Sequence, residues 1–292
     1  MPPPPDDLPI QHVTDTAIWV AHYRALESVR PDALFHDDLA AVLTGERGRR
    51  IAEALERRES QSMTRWSVII RTVVIDRLIQ RLVAEGVDTV INLGAGLDTR
   101  PYRLALPASL HWIEVDYPDM IAHKEKVLTA HRPGVQLERI PLDLADVDER
   151  RKLFARLGAG AQRALILTEG VVVYLTEAHV TSLAEDLHAQ PSFQYWIGEY
   201  FAPQLYGYFQ SPKRASRFKN APFQFFPADW MGLFRSRGWT PHDIKYLGEE
   251  GKQLGRPMRL PWWARILIRL SGRKKAAGVL KLVAYVVFRR SG

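Results

Sequence analysis

Three short runs carry side chains whose types and spacing suit the binding of a nucleotide-like molecule. The first is Asn92-Leu93-Gly94-Ala95-Gly96-Leu97-Asp98-Thr99-Arg100. Its glycines permit backbone conformations closed to other residues and let a ligand approach the main chain. The run departs from the dinucleotide pattern Gly-x-Gly-x-x-Gly, because Thr99 holds the third glycine position. It also lacks the Lys-Ser or Lys-Thr of a phosphate-binding loop. Taken alone, Gly-x-Gly is equally at home in a plain strand-to-helix turn. The second run, Trp112-Ile113-Glu114-Val115-Asp116, ends on an acid. It stands roughly 20 residues beyond the glycines, where an Asp or Glu grips ribose hydroxyls in nucleotide-binding sheets. The third run, Pro141-Leu142-Asp143-Leu144, sets a carboxylate beside apolar side chains. Adenine offers an amino donor to the one and a flat apolar face to the other.

Glycine loop, ribose acid and adenine acid, in that chain order, fit S-adenosylmethionine. That molecule has no pyrophosphate and so does not demand the missing glycine. Its methionine carboxylate calls for a cation, and arginine is suited to bidentate carboxylate binding. Arg71 and Arg100 are the candidates, although a solvated surface arginine explains either as well. Methyl transfer is a displacement at carbon, so the main task is alignment of an acceptor opposite the sulfonium leaving group. A carboxylate acceptor needs only a clamp, whereas a hydroxyl must lose its proton to a group such as His or Tyr. His22, Tyr23, His123, Tyr174 and Tyr200 are available, each as readily a packed ring, and no catalytic base is assigned. Tyr174, Tyr200 and His22 are the acceptor-side candidates. The aromatic-rich stretch from Tyr195 to Phe226 either walls a pocket for a flat organic acceptor or is ordinary core.

These groups need strand ends and loops to hold them. Val87–Leu93, His111–Asp116, Val135–Ile140, Ala164–Leu167 and Phe193–Ile197 read as short strands, most of them β-branched and bounded by turn residues. Helical patterns separate them. Pro118 suits a first helical position, Asp146 with Glu149 has capping-box spacing, and Thr176 caps a helix running to Pro191. Strand alternating with helix predicts an α/β fold, a doubly wound and mostly parallel sheet covered on both faces. Upstream, helices are expected over Asp15–Ser28, Gly48–Glu59 and Ser67–Ala84, forming a helical N-terminal extension. Thr240–Leu247 and Leu282–Arg290 read as two further strands within an elaborated C-terminal third. The expected organisation is a mobile arm over 1–12 and one domain over 13–292. Within that domain 13–84 is a helical cap, 85–200 the cofactor core and 201–292 a substrate and lid region.

Composition narrows the rest. The 292 residues include no cysteine, which excludes disulfides, thiolate metal sites and cysteine nucleophiles. The net charge is +7, but Gly251–Gly292 holds 11 Lys or Arg and no acid, leaving the rest of the chain at −4. The body therefore gives no reason to expect a nucleic-acid partner, and no metal is expected. The basic segment raises two alternatives: an RNA or protein methyltransferase, or a membrane-surface or partner-binding role. Over 260–275, Arg265 and Arg269 lie one turn apart beside Trp262, Ile266 and Leu270, which suits an interfacial helix or, preferably, a lid. With no basic and apolar leader and no long apolar run, a cytoplasmic location is expected.

At this point the motifs resemble a known group. Val90–Arg100, Trp112–Pro118 and Thr168–Leu175 are similar to the motifs of the leucine carboxyl methyltransferase family. Thr16–Ala21 and Arg24–Ser28 resemble its bacterial branch, which includes the polyketide O-methyltransferase of tetracenomycin biosynthesis. The resemblance spans roughly Thr14–Leu187. It implies a class I methyltransferase fold, Rossmann-like, with seven strands and the last antiparallel. It also implies a cofactor set of Arg71 for the methionine carboxylate, Gly94, Ala95 and Gly96 along the cofactor, Asp116 at the ribose, and Tyr117 among the cofactor-binding residues. Asp143 and Leu144 would contact adenine, and Glu169 would stand near the methionine amino group, with Tyr174 just beyond. One departure stands out: this chain has Asp37-Asp38 where relatives often carry Asp-Pro.

Overall fold

The computed structural model describes residues 13–56, 62–212, 220–258 and 273–291. The arm over 1–12 and most of the 260–275 segment lie outside the described residues. Helices α1 (Val13–Ser28), α2 (Asp38–Glu56) and α3 (Ser62–Ala84) precede the first strand. Then come β1 (Thr89–Leu93), the short α4 (Arg100–Arg103), β2 (His111–Asp116), α5 (Pro118–Leu128), β3 (Gln136–Pro141) and α6 (Val147–Gly160). The chain continues through β4 (Ala164–Thr168), a 3-10 turn at Val172–Tyr174, α7 (Glu177–His188) and β5 (Phe193–Phe201). After α8 (Tyr206–Phe209) and α9 (Trp230–Arg235) follow β6 (Trp239–Tyr246), α10 (Leu247–Gln253), α11 (Arg273–Leu280) and β7 (Val283–Arg290).

The caps form as their chemistry dictates. Pro118 opens α5, Asp146 Oδ1 accepts the Glu149 N–H, and Thr176 Oγ1 accepts the His179 N–H. The seven strands take the order β3-β2-β1-β4-β5-β7-β6. The first five are parallel, and β7 runs antiparallel between β5 and β6. Strand order reverses between β1 and β4, which is where ligands bind in such sheets. Both faces are buried, so β1 and β4 are enclosed along their whole length. One face packs Ile91, Leu93, Ile166 and Trp196 against α6, α7 and α9; the other packs Val90, Leu165 and Tyr195 against α3.

Several boundaries differ from expectation. The α2 span starts at Asp38, well before Gly48; Gly45, at φ +50° and ψ −151°, is itself non-helical and breaks the span into two helical pieces. Helix α3 starts at Ser62, before the expected Ser67. Strand β1 starts at Thr89, because the chain only turns into the sheet after Gly86, at φ +98°. Strand β5 runs on to Phe201, past Ile197, because β7 pairs with it as far as the Phe201–Val283 position. Leu247, expected in a strand, opens α10.

Candidate cofactor and acceptor site

The carboxyl ends of β1, β2, β3 and β4 open into a cavity of about 780 Å³, within the size range of small-molecule sites. One end of it is polar. Gly94 follows β1 at φ +66°, and a Cβ there would stand 2.5 Å from Val171 Cγ2, so the β1 and β4 loops touch only because the residue is glycine. At the end of β2, Asp116 Oδ2 accepts the Gly96 N–H at 2.6 Å and Oδ1 accepts the Tyr117 N–H at 2.7 Å. Burial raises the Asp116 carboxyl against the pull of those two N–H groups. At the end of β3, exposed Asp143 is flanked by half-buried Leu142 and Leu144, and all three line the cavity.

Across the cavity stands an ion cluster. Glu169, leaving β4, pairs at 2.8 Å with Arg71 from α3 and at 2.8 Å with Arg100. Burial alone would raise the Glu169 carboxyl; Arg100 and Arg71 outweigh it and hold it below the usual range. The two arginines differ in kind. Arg71 and Glu169 line the cavity, whereas Arg100 is spent on Asp76, Asp98 and Glu169 at 2.7, 2.8 and 2.8 Å and is not among the lining residues. Arg100 is thus a buried cross-brace and not a free clamp.

The other end is apolar. Trp19 and Val20 of α1, Trp66 and Val68 of α3, Tyr174, Phe209 and Phe223 wall it, and Tyr174 meets Phe223 edge-on at 5.3 Å. Tyr200 does not reach it. It lies on the opposite sheet face, packed edge-on at 5.5 Å against Trp230. His22 is half-buried on α1 and also outside the cavity wall, because the helix turns Trp19 and Val20 inward. His123 and Tyr23 are elsewhere too: His123 Nε2 contacts the Leu43 carbonyl at 3.1 Å, and Tyr23 packs on Trp19. Of the acceptor-side candidates, Tyr174 alone lines the cavity.

Some lining residues escaped the sequence reading. Arg24 reaches the wall from α1, donating to Asp37 at 2.8 Å and to the Leu97 carbonyl at 2.5 Å. Thr64, Ser67, Val68 and Arg71 form one face of α3, a spacing that was available as a signal. Among the described residues no group of His, Asp and Glu is arranged to hold a metal ion.

The polar end suits S-adenosylmethionine by donor set: acids at β2 and β3, an Arg–Glu pair for an amino-acid end, and apolar surface between. Two solved structures share the whole architecture. A Thermobifida fusca methyltransferase aligns over 100% of this chain and 99% of its own at TM-score 0.58 and 16% identity. A Streptomyces avermitilis DUF574 family protein aligns over 92% and 96% at TM-score 0.59 and 15% identity. Sheet order and cavity position define the class I methyltransferase fold.

The sequence narrows this further. A Frankia alni protein described as an S-adenosyl-L-methionine-dependent methyltransferase is 31% identical over 255 residues, 84% of this chain and 88% of that protein. A Streptomyces coelicolor protein of the same description is 37% identical over 179 residues, 58% of this chain and 62% of its own. The model of the leucine carboxyl methyltransferase family matches residues 17–188, and the chain belongs to that family.

Proposed function

We propose that this enzyme O-methylates a carboxylate or hydroxyl of a flat small organic acceptor, aromatic or polyketide-like. The observation that carries the reading is the continuity of this cavity, whose polar end runs into its aromatic end. In this reading Arg71 holds the methionine carboxylate and Glu169 the amino group. The backbone of Gly94, Ala95 and Gly96 runs along the cofactor. Asp116 takes the ribose hydroxyls, Tyr117 lies beside it, and Asp143 with Leu144 meets adenine. Bound there, the cofactor supplies an electrophilic methyl group. The chain's own contribution is to align and to exclude water: Trp19, Val68, Tyr174 and Phe223 confine a flat acceptor beside the cofactor end. Such orientation supplies about 7–11 kcal/mol in favourable cases. A cytoplasmic location goes with this reading; among the described residues no helix is long and apolar enough to cross a membrane.

Calorimetric titration with S-adenosylhomocysteine tests the cofactor half. Wild type should bind, and Asp116→Ala should lose about 1.5–3 kcal/mol, the worth of hydrogen bonds to a charged group. Gly96→Val should bind more weakly still, since even a Cβ at Gly96 would stand 3.2 Å from Ala17 Cβ. Equal binding by all three proteins, or none by wild type, overturns the site. A labelled methyl-transfer screen across aromatic carboxylic acids, phenols and polyketides tests the acceptor half. Turnover confined to peptides or RNA would overturn it.

A further inference from the structure

Behind the cofactor end sits a buried acid that the reaction as described does not use. Glu199 of β5 is 2% exposed. The sheet register sets Thr168 of β4 beside Gly198, so the chain leaves β4 next to Glu199. It then folds back over it. Glu199 Oε1 accepts the N–H groups of Val171 at 3.1 Å and Val173 at 3.3 Å, and Oε2 accepts that of Gly170 at 3.3 Å. Those three residues belong to the turn that carries Glu169 at one end and Tyr174 at the other. Among the turn's contacts with the rest of the site, Glu169 pairs with Arg71 and Val171 abuts Gly94. A charged carboxylate accepts all three N–H bonds; a protonated one has an O–H where one oxygen had accepted.

We propose that Glu199 is the positioning residue of the cofactor site: its carboxylate clamps the 169–174 turn by three backbone N–H groups, and taking up a proton loosens the turn's grip on the cofactor's amino-acid end. The inference rests on the reading of that end given above. Among the described residues, the charged side chain acting on Glu199 is Arg71 from α3, which it shares with Glu169 of the turn, and Tyr285 is its register partner on β7. Burial keeps Tyr285 neutral, and the two arginines, against burial, keep Glu169 ionised. Burial pushes the Glu199 carboxyl up to about 7, against the backbone N–H groups and Arg71 that favour its charge. Glu199 is therefore the group of this cluster that changes charge near neutrality.

The test is the affinity for S-adenosylhomocysteine by calorimetry between pH 5.5 and 9, for wild type, Glu199→Gln, Glu199→Asp and Asp116→Asn, with thermal melts to confirm folding. Wild type should bind roughly tenfold more weakly below pH 7 than above it, the loss of one charge-assisted hydrogen bond. Glu199→Gln should be weak and flat across that range. Asp116→Asn, which removes the other raised acid, should keep the step, and Glu199→Asp should recover part of it. Wild-type affinity in a folded Glu199→Gln, or a step lost in Asp116→Asn instead, overturns the inference while leaving the site standing. A wild type with no pH step overturns it without any variant. Failure of wild type to bind at any pH takes down the site and the inference together.

Discussion

Gly94 and Gly170 share a left-handed backbone, at φ +66° and +69°, but not the same surroundings. A Cβ at Gly170 meets nothing within 4 Å, whereas one at Gly94 meets Val171 Cγ2 at 2.5 Å. Gly170→Ala should therefore cost only the left-handed strain, about 1–2 kcal/mol. Gly94→Ala should add an overpacking cost of about 1–3 kcal/mol. Urea midpoints at constant slope would show the difference, and equal losses would mean that the two loops do not press together. Glu199 makes a second residue-scale case. Its folded carboxyl holds its proton to about 7, against an ordinary 4.5. Between those values the folded chain binds a proton that the unfolded chain has lost, so its contribution to stability falls as pH rises through the window. The amount is on the order of 3 kcal/mol. Glu199→Gln should flatten this limb in denaturant titrations; an unchanged slope would contradict it. The same ionisation that organises the cofactor turn thus weakens the fold.

At the scale of elements, the helical cap is latched to the glycine loop. Asp37, before α2, accepts from Arg24 of α1 at 2.8 Å and from Thr99 Oγ1 at 2.6 Å, and Arg24 also donates to the Leu97 carbonyl. Burial would raise Asp37, but Arg24, Arg103 and the Thr99 hydroxyl outweigh it and hold it low. Its contribution to stability is therefore present above the ordinary 3.8 and lost as pH falls through the lower folded value. Asp37→Asn should cost about 3–5 kcal/mol, the usual result of breaking a buried pair, and should soften the acid limb of a stability curve. A loss below 1 kcal/mol would show that the latch is ornamental.

The central strands β1, β4 and β5 and their loops were legible because each begins as a short apolar run closed by glycine or acid. The first part of α2 was not, since it starts just after Asp37, which Arg24 and Thr99 hold in place only once the chain is folded. Nor was the choice between Arg71 and Arg100, which depends on Asp76 of α3 lying beside Arg100 in space. Tyr200 was misplaced by strand parity. The residue before it, Glu199, faces α3, so Tyr200 must face the other core.

For the whole molecule, a ligand that binds only the folded chain stabilises it by mass action. S-adenosylhomocysteine at a hundredfold Kd should add about 2.7 kcal/mol. The melting point should rise by several degrees. Because the cavity is walled by α1, α3, four strand ends and β7, that shift should appear in one transition by circular dichroism and tryptophan fluorescence alike. Two separated transitions would mean that the cap or the C-terminal third unfolds as a unit of its own.

The position of β7 has a consequence for chain quality control. Strand β6 reaches the sheet only through β7. A molecule cut or stalled before Val283 would leave the nine-residue strand Phe193–Phe201 as a bare, largely apolar edge, with β6 having nothing to pair with. Such an edge is a template for pairing with another chain. Shortened molecules should therefore collect in aggregates instead of persisting as weakly active monomers.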